Sequence, residues 1–519
     1  LSQAAQRGAV AAWYARCPDS PGAWSTHAKA VRAAFPSADW LTALAPALAA
    51  TGAAAERLAR SAAAGVVITT GQQPGLFGGP TYTWSKAMSA LAVANMMEQA
   101  TGIPVAPVFW AASDDADWME AAVTHVASAR GLVTAQLAGP PTEGVAMADV
   151  PLGPLADARA LLASACGSSP QSGVLEVLDA AYVPHATIGA AYVQLLRALL
   201  EPLGIAVLDA AHPAVREAAD AFLRGALRQA SAVHESLTAR SAAIVEAGFA
   251  PQVEVVDGLS LVFRTQRREQ DGAVRRVRER VPIADAAAVA READVGSLGS
   301  NVLLRPVLER AMMPTVCYLA GPGEYAYFAQ IGPVAAALGA AAPVAAPRWA
   351  CELIDERMLA RQAALGIPEA ALRDPYAAEQ LVARAHLDEA VADTLERLRL
   401  TLEAQLGALM QTVAGDDAPV VDTVVQGLSR DIGHRLERFE RRVLAGVKRR
   451  EGEAMREVAA LRAALRPSTK SPERVLNIIP FLVRYGTGVL DAMVQEARPH
   501  ARRLVLGASD ATVETAVAS

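Results

Sequence analysis

The stretch that most restricts what this chain can fold into is 65–86, GVVITTGQQPGLFGGPTYTWSK. A β-branched run, Val66 to Thr70, ends on Gly71; a loop holding Gly71, Gly75, Gly78 and Gly79 follows, and an amphipathic helix is expected to open near Thr81. Strand, glycine loop and helix in that order can set backbone N–H groups around an anion, and glycine lets a ligand approach the backbone closely. The loop carries neither the GK[ST] of a P-loop nor the GxGxxG spacing of a dinucleotide fold. Two readings therefore stand side by side, a ligand-binding loop and a tight structural turn. The adjacent amides Gln72 and Gln73, at a strand end, favour polar recognition.

The rest of the chain bounds the function classes. With 519 residues, 52% apolar and 20% charged, it has the composition of a globular protein, and its length suggests roughly two to four domains. A net charge of −6 lacks the footprint of a bulk nucleic-acid binder. Cys17, Cys166, Cys317 and Cys351 are scattered without a C-x-x-C, which fits a reducing compartment and a cytoplasmic protein rather than a disulfide framework or zinc cluster. No secretory signal and no apolar run of membrane-spanning length is visible, and no metal site is expected from histidine spacing.

Residues 1–64 read as helices that pack on an α/β core spanning 65–375. Within that core, Val66–Thr70, Val105–Ala112, Ile205–Ala210, Thr315–Ala320 and Pro343–Pro347 are expected strands, with shorter ones at Val123–Ala127 and Leu132–Leu137. Strand, helix, strand predicts parallel βαβ connections. Insertions are expected near 139–185 and 235–300; in the second, Asp257-Gly258 predicts a hairpin between Gln252–Val256 and Leu259–Thr265, and Asp271-Gly272 another leading into Ala273–Val281. Residues 376–466 turn to heptads (Val391, Leu395, Leu398, Leu402, Leu406, Leu409, Val413, then Val421, Val425, Leu428, Ile432, Leu436, Phe439, Val443, with a break at Gly415–Pro419). They predict an antiparallel coiled-coil hairpin of two helices of about 40 residues, and an apolar seam of that length predicts a homodimer. Arg435, Glu437, Arg438, Glu440, Arg441 and Arg442 read as a solvated outer face or as a phosphate contact, and 467–519 as a segment returning to the core.

Open parallel sheets bind ligands outside the carboxyl ends of their strands, so three loops should converge there. The first carries Gln72 and Gln73. The second, after Phe109-Trp110, holds Asp114, Asp115, Asp117 and Glu120, which could orient an amine, hold Mg²⁺ or act as a general base, or else cap a helix. The third is Gly321-Pro322-Gly323-Glu324-Tyr325-Ala326-Tyr327-Phe328-Ala329-Gln330, a rigid turn presenting Glu324 at a helix start, with Tyr327 and Gln330 nearby. Asn301 and Arg305 lie just upstream, and Arg305 could grip a substrate carboxylate or a helix carboxylate. Thr187 reads as a helix cap, Asp209 and His212 as strand-end residues, and Cys317 as inert core.

The segments TTGQQPGLFGGPTYTWSKAMSA, PVFWAASDDADWMEA, SNVLLRPVLERAMMPTVCYLAGPGEYAYFAQIGPV and ERVLNIIPFLVRYG, in order over about 65 to 490, resemble the cysteine-adding enzymes of bacillithiol biosynthesis, also called cysteine ligases. The resemblance implies a Rossmann-like core akin to class I nucleotidyltransferases, with connecting insertions and a dimerising C-terminal coiled coil. It implies joining the carboxyl of cysteine to the amine of glucosaminyl malate, with ATP and Mg²⁺ added on chemical grounds as activator. By position, Asp114, Asp115, Asp117 and Glu324 would be catalytic, and Gln72, Gln73, Gly75, Gly78, Gly79, Tyr82, Asn301, Arg305, Gly321, Gly323, Tyr327 and Gln330 would bind substrate or nucleotide. The family's acidic motif usually reads E-D-H-D; Ala116 stands here in place of its histidine. Another amino-acid-activating ligase on the same core, or a catalytically silent nucleotide-binding dimer, would share most of these features.

Overall fold

The structure is a computed structural model that describes residues 1–139, 144–167, 172–270, 273–413 and 422–507. Ten strands occur among these residues: β1 (Val66–Gln72), β2 (Val105–Ala111), β3 (Val123–Ser128), β4 (Gly131–Gln136), β5 (Ala206–Asp209), β6 (Leu259–Gln270), β7 (Ala273–Pro282), β8 (Leu298–Ser300), β9 (Thr315–Ala320) and β10 (Ala345–Pro347). The chain divides into two units: Leu1–His125, Thr134–Cys351 and the segment from Leu476 form the first, Val126–Val133 and Glu352–Val475 the second.

The first unit is built on a five-stranded sheet of order β10-β9-β1-β2-β5, with every neighbouring pair parallel. The β-branched run chosen from sequence is β1, whose first six residues are all buried, as a strand covered on both faces must be. Gly71 is required by proximity: a Cβ there would lie 2.7 Å from the Trp110 carbonyl oxygen on β2. Successive strands run from β1 outward through β2 to β5, then jump to the other side of β1 with β9 and β10. The chain thus reverses direction across the sheet between β1 and β9, and a crevice opens at the carboxyl ends of strands at such a point.

The helix after the glycine loop, Thr81–Thr101, is not amphipathic. It is buried on nearly every face, Lys86 included, because it runs through the interior of the first unit rather than along its surface. The insertion at 235–300 also departs from expectation. Gln252–Val256 forms no strand, so the hairpin at Asp257-Gly258 does not form; β6 pairs antiparallel with β7 and β8 instead. The turn at Asp271-Gly272 lies outside the described residues. Thr187 does cap the helix Ile188–Leu200, accepting the Ala190 N–H at 3.2 Å, and Cys317 is fully buried with its thiol pushed far up by burial.

The second unit has its own small core of Ile367, Leu372, Ala378, Val382, Val458, Leu461 and Leu465. Its heptad segments form the helices Glu389–Thr412 and Asp422–Arg450, 24 and 29 residues in place of about 40, because separate helices, Ala377–Ala385 and Gly452–Leu465, take up the flanking sequence. The break at Gly415–Pro419 and Val421 lie outside the described residues. Much of the seam is open: Leu398 is 45%, Leu428 45% and Phe439 52% exposed. Arg435, Glu437, Arg438, Arg441 and Arg442 face solvent, as a polar outer surface does.

Candidate functional site

At the reversal between β1 and β9 lies a cleft of about 590 Å³, lined among others by Gln72, Gln73, Asp114, Asp115, Ala116, Asn301, Arg305, Glu324 and Tyr327. All three loops expected to converge contribute to it, together with the β6–β7 hairpin through Phe263, Arg278 and Arg280. Alternation along β7 puts Arg276, Arg278 and Arg280 on one face. That period-two arginine pattern was the available signal for the two cleft arginines that sequence reasoning passed over.

A buried lysine holds the floor. Lys86 Nζ donates to the Gly71 carbonyl at 2.7 Å and to Gln72 Oε1 at 2.8 Å, and pairs with Glu324 Oε2 at 2.6 Å. Glu324 also accepts the Gly321 N–H at 2.8 Å and the Tyr318 hydroxyl at 2.6 Å. Burial works to raise the Glu324 carboxyl, but Lys86, Tyr318 and Arg305 together hold it below its ordinary value. Gly321 is therefore the cap of the helix Pro322–Ala337 rather than a cleft residue, and Gly323 faces solvent. Lys86 was missed by sequence reasoning because a lysine in an apolar helix reads as one that reaches out to water.

Arg305 lines the cleft with its donors engaged. Nη1 donates to Glu309 Oε2 at 3.1 Å, and Nη2 to the Tyr318 and Tyr327 hydroxyls at 3.1 and 3.3 Å. Beneath it, the Thr69 hydroxyl donates to Glu309. Asn301 reaches the cleft but spends its side-chain oxygen on the Leu303 and Leu304 N–H groups, at 3.1 and 3.0 Å.

The four carboxylates of the second loop have four different settings. Asp114 faces Arg278, Oδ2 to Nη2 3.7 Å, and its carbonyl also accepts from Arg278. Asp117 caps the short helix Trp118–Ala121 by accepting the Glu120 N–H at 3.1 Å. Glu120 gathers the Gln73 amide at 2.5 Å, the Tyr82 hydroxyl at 2.8 Å and the Gln72 amide at 3.3 Å. Asp115 accepts its local N–H groups, Ala116 at 2.6 Å and Asp117 at 3.2 Å, and lines the cleft. Burial, and then the neighbouring Asp114, push the Asp115 carboxyl up from its ordinary value.

Five more expected ligand residues sit elsewhere. Gly75, Gly78 and Gly79 are buried in a tight turn: Gly78 N–H donates to the Gly75 carbonyl at 3.0 Å, and the Asn477 amide donates to the Leu76 and Phe77 carbonyls at 3.3 and 3.0 Å. Gly78 takes φ +88°, and a Cβ there would strike the Trp84 ring at 2.8 Å. This turn does not fit a phosphate cradle, since residues 74–79 are closed off from the cleft. Gln330 is wholly buried and braces the backbone of Val253, donating to its carbonyl at 2.8 Å and accepting its N–H at 3.1 Å. Tyr82 reaches Glu120 rather than the cleft.

A parallel sheet with polar side chains collected at the strand ends of its reversal point defines a Rossmann-like α/β protein with its site in that crevice. The comparisons agree. Residues 38–349 match the family model "Bacillithiol biosynthesis BshC, N-terminal Rossmann-like domain", and residues 364–506 match "Bacillithiol biosynthesis BshC, C-terminal coiled-coil domain". The chain belongs to the BshC family of bacillithiol biosynthesis. It is 31% identical over 430 residues to a protein of Solibacter usitatus named "Putative cysteine ligase BshC", covering 81% of this chain and 80% of that one. Relatives of the same name in Koribacter versatilis and Heliobacterium modesticaldum are each 29% identical, over 462 and 469 residues, with 85% of this chain covered and 83% and 82% of theirs.

Proposed function

We propose that this chain is a ligase that joins the carboxyl of cysteine to the amine of glucosaminyl malate, forming an amide in the last step of bacillithiol synthesis. Family membership supports the reaction class. The observation that carries the site assignment is Asp115, a cleft carboxylate with no ion pair among the described residues and with its pKa raised by burial. An amine nucleophile must lose a proton to attack an acyl carbon, and a carboxylate with a raised pKa is a better base for that proton. Asp115 takes that role. Glu324, fixed by Lys86 and Tyr318, orients a substrate donor at the opposite strand end. Gln72 and Gln73, held by Lys86 and Glu120, offer their remaining amide positions to polar substrate groups.

Amide formation from a free carboxylate needs activation, and chemistry alone assigns that to Mg-ATP; no residue of the cleft is assigned to it. We place the protein in the cytoplasm as a homodimer through the second unit, with cysteine and glucosaminyl malate as its partners. No helix among the described residues is long and apolar enough to cross a membrane.

The test is incubation of the purified chain with cysteine and glucosaminyl malate, with and without Mg-ATP, read by mass spectrometry. Condensed thiol only with ATP supports the ligase and its activation. Product without ATP keeps the ligase and removes ATP. No product under either condition, with an active relative run in parallel, removes both.

A further inference from the structure

Six charged side chains line the cleft: Asp114, Asp115, Glu324, Arg278, Arg280 and Arg305. Four have an oppositely charged partner group within ion-pair distance in the protein. Glu324 has Lys86 at 2.6 Å, Arg305 has Glu309 at 3.1 Å, and Asp114 and Arg278 have each other at 3.7 Å. The remainder is one carboxylate, Asp115, and one guanidinium, Arg280.

Arg280 is half-buried on β7, and among the described residues no carboxylate lies within ion-pair distance of it. Its hydrogen bonds go to a single neutral acceptor, the Ser260 carbonyl, from Nε at 2.9 Å and Nη2 at 2.6 Å. A guanidinium has five N–H donors, so the Ser260 carbonyl fixes one edge and leaves the rest unspent. A partly desolvated cation without a counter-ion is costly, and a cleft that keeps one is prepared for an anion from outside. Fixed guanidinium geometry matches a carboxylate with two parallel hydrogen bonds.

We propose that Arg280 is the carboxylate-recognition residue of this cleft, with Asp115 serving the amine end of the bound substrates. This rests on the ligase reading for the identity of those substrates. Both carry the required chemistry, the malyl group through its two carboxylates and cysteine through its α-carboxylate. Arg305, the sequence candidate for this role, differs in having a carboxyl partner, Glu309, and spends three of its donors on Glu309, Tyr318 and Tyr327.

Titration calorimetry of the full chain with L-malate, and separately with L-cysteine under reducing conditions, tests this without turnover. Wild type should bind at least one of the two. Arg280→Gln should weaken that binding by tenfold or more, and Arg280→Lys, which keeps the charge and loses the fork, should fall between. Thermal melts of both variants establish that the fold is retained, and binding of uncharged methyl glucoside should be equal in all three proteins. Loss confined to malate assigns the malyl carboxylates to Arg280; loss confined to cysteine assigns the amino-acid carboxylate. Unchanged affinity for both in Arg280→Gln, or no binding of either by wild type, overturns the proposal. A wild type that binds a carboxylate through Arg280 yet forms no amide overturns the ligase reading and leaves this one standing.

Discussion

Lys86 Nζ and Glu324 Oε2 meet 2.6 Å apart beneath the cleft, and the lysine is only 3% exposed. The pair ties the helix after β1 to the helix after β9, across the point where the sheet reverses. Removing one partner strands the other charge in the interior. Lys86→Met should cost about 3–5 kcal/mol of stability, as loss of one member of a buried pair does. Lys86→Met combined with Glu324→Gln should cost less than Lys86→Met alone. Urea denaturation of wild type, both single variants and the double variant checks both statements; a double loss equal to the sum of the two single losses would mean the pair is not coupled.

Glu309 gives the protein a pH dependence of defined sign. Burial pushes its carboxyl from 4.5 up to about 7, against the opposing pull of Arg305 and Thr69. Between those values the folded chain keeps a proton that the unfolded chain gives up. The contribution of protonated Glu309 is therefore full below about pH 4.5 and is lost as pH rises through about 7. Glu309→Gln cannot ionise, so wild-type stability relative to that variant should fall across this window. Denaturation midpoints measured at several pH values decide it; parallel profiles would show Glu309 ionised throughout beside Arg305.

Asp115→Asn should lower the rate of amide formation by about 10²–10⁴-fold, the usual range for loss of a general base. The amide oxygen of Asn can still accept the Ala116 and Asp117 N–H groups that Asp115 holds at 2.6 and 3.2 Å. The melting temperature should accordingly stay close to wild type. Turnover at the wild-type rate would remove Asp115 from the chemistry.

Phe439 is 52% exposed on the seam of the second unit, in company with Leu398 and Leu428. Apolar residues on two adjoining heptad helices and open to water are the pattern that a second copy covers. Phe439→Glu should convert a dimer to a monomer in light scattering at micromolar concentration. A wild type that is already monomeric would refute the dimer.

The parallel core was legible because β1, β2, β5 and β9 are short apolar runs bounded by glycine, aspartate or proline, and burial on both faces leaves that imprint. The three strand-end loops were legible for the same reason: polar residues follow directly on apolar strands. The glycine loop was half legible. Its glycines announced a special backbone, but Asn477 and Tyr182, which close it, come from distant parts of the chain. The roles of Asp114, Asp117 and Glu120 were equally hidden, since four neighbouring carboxylates look alike until Arg278, a helix start and two glutamines divide them.

Local chemistry thus determined the strands, the order of the loops and the residue types delivered to one sheet edge, because backbone periodicity and burial act over a few neighbours. Tertiary structure decided which of those charges cancel. Lys86 with Glu324, Arg305 with Glu309 and Arg278 with Asp114 are brought together by packing of separate elements or of successive turns, and ion pairing depends on distances of a few ångströms that only the folded chain sets. What remains after that cancellation, Asp115 and Arg280, is visible only in three dimensions.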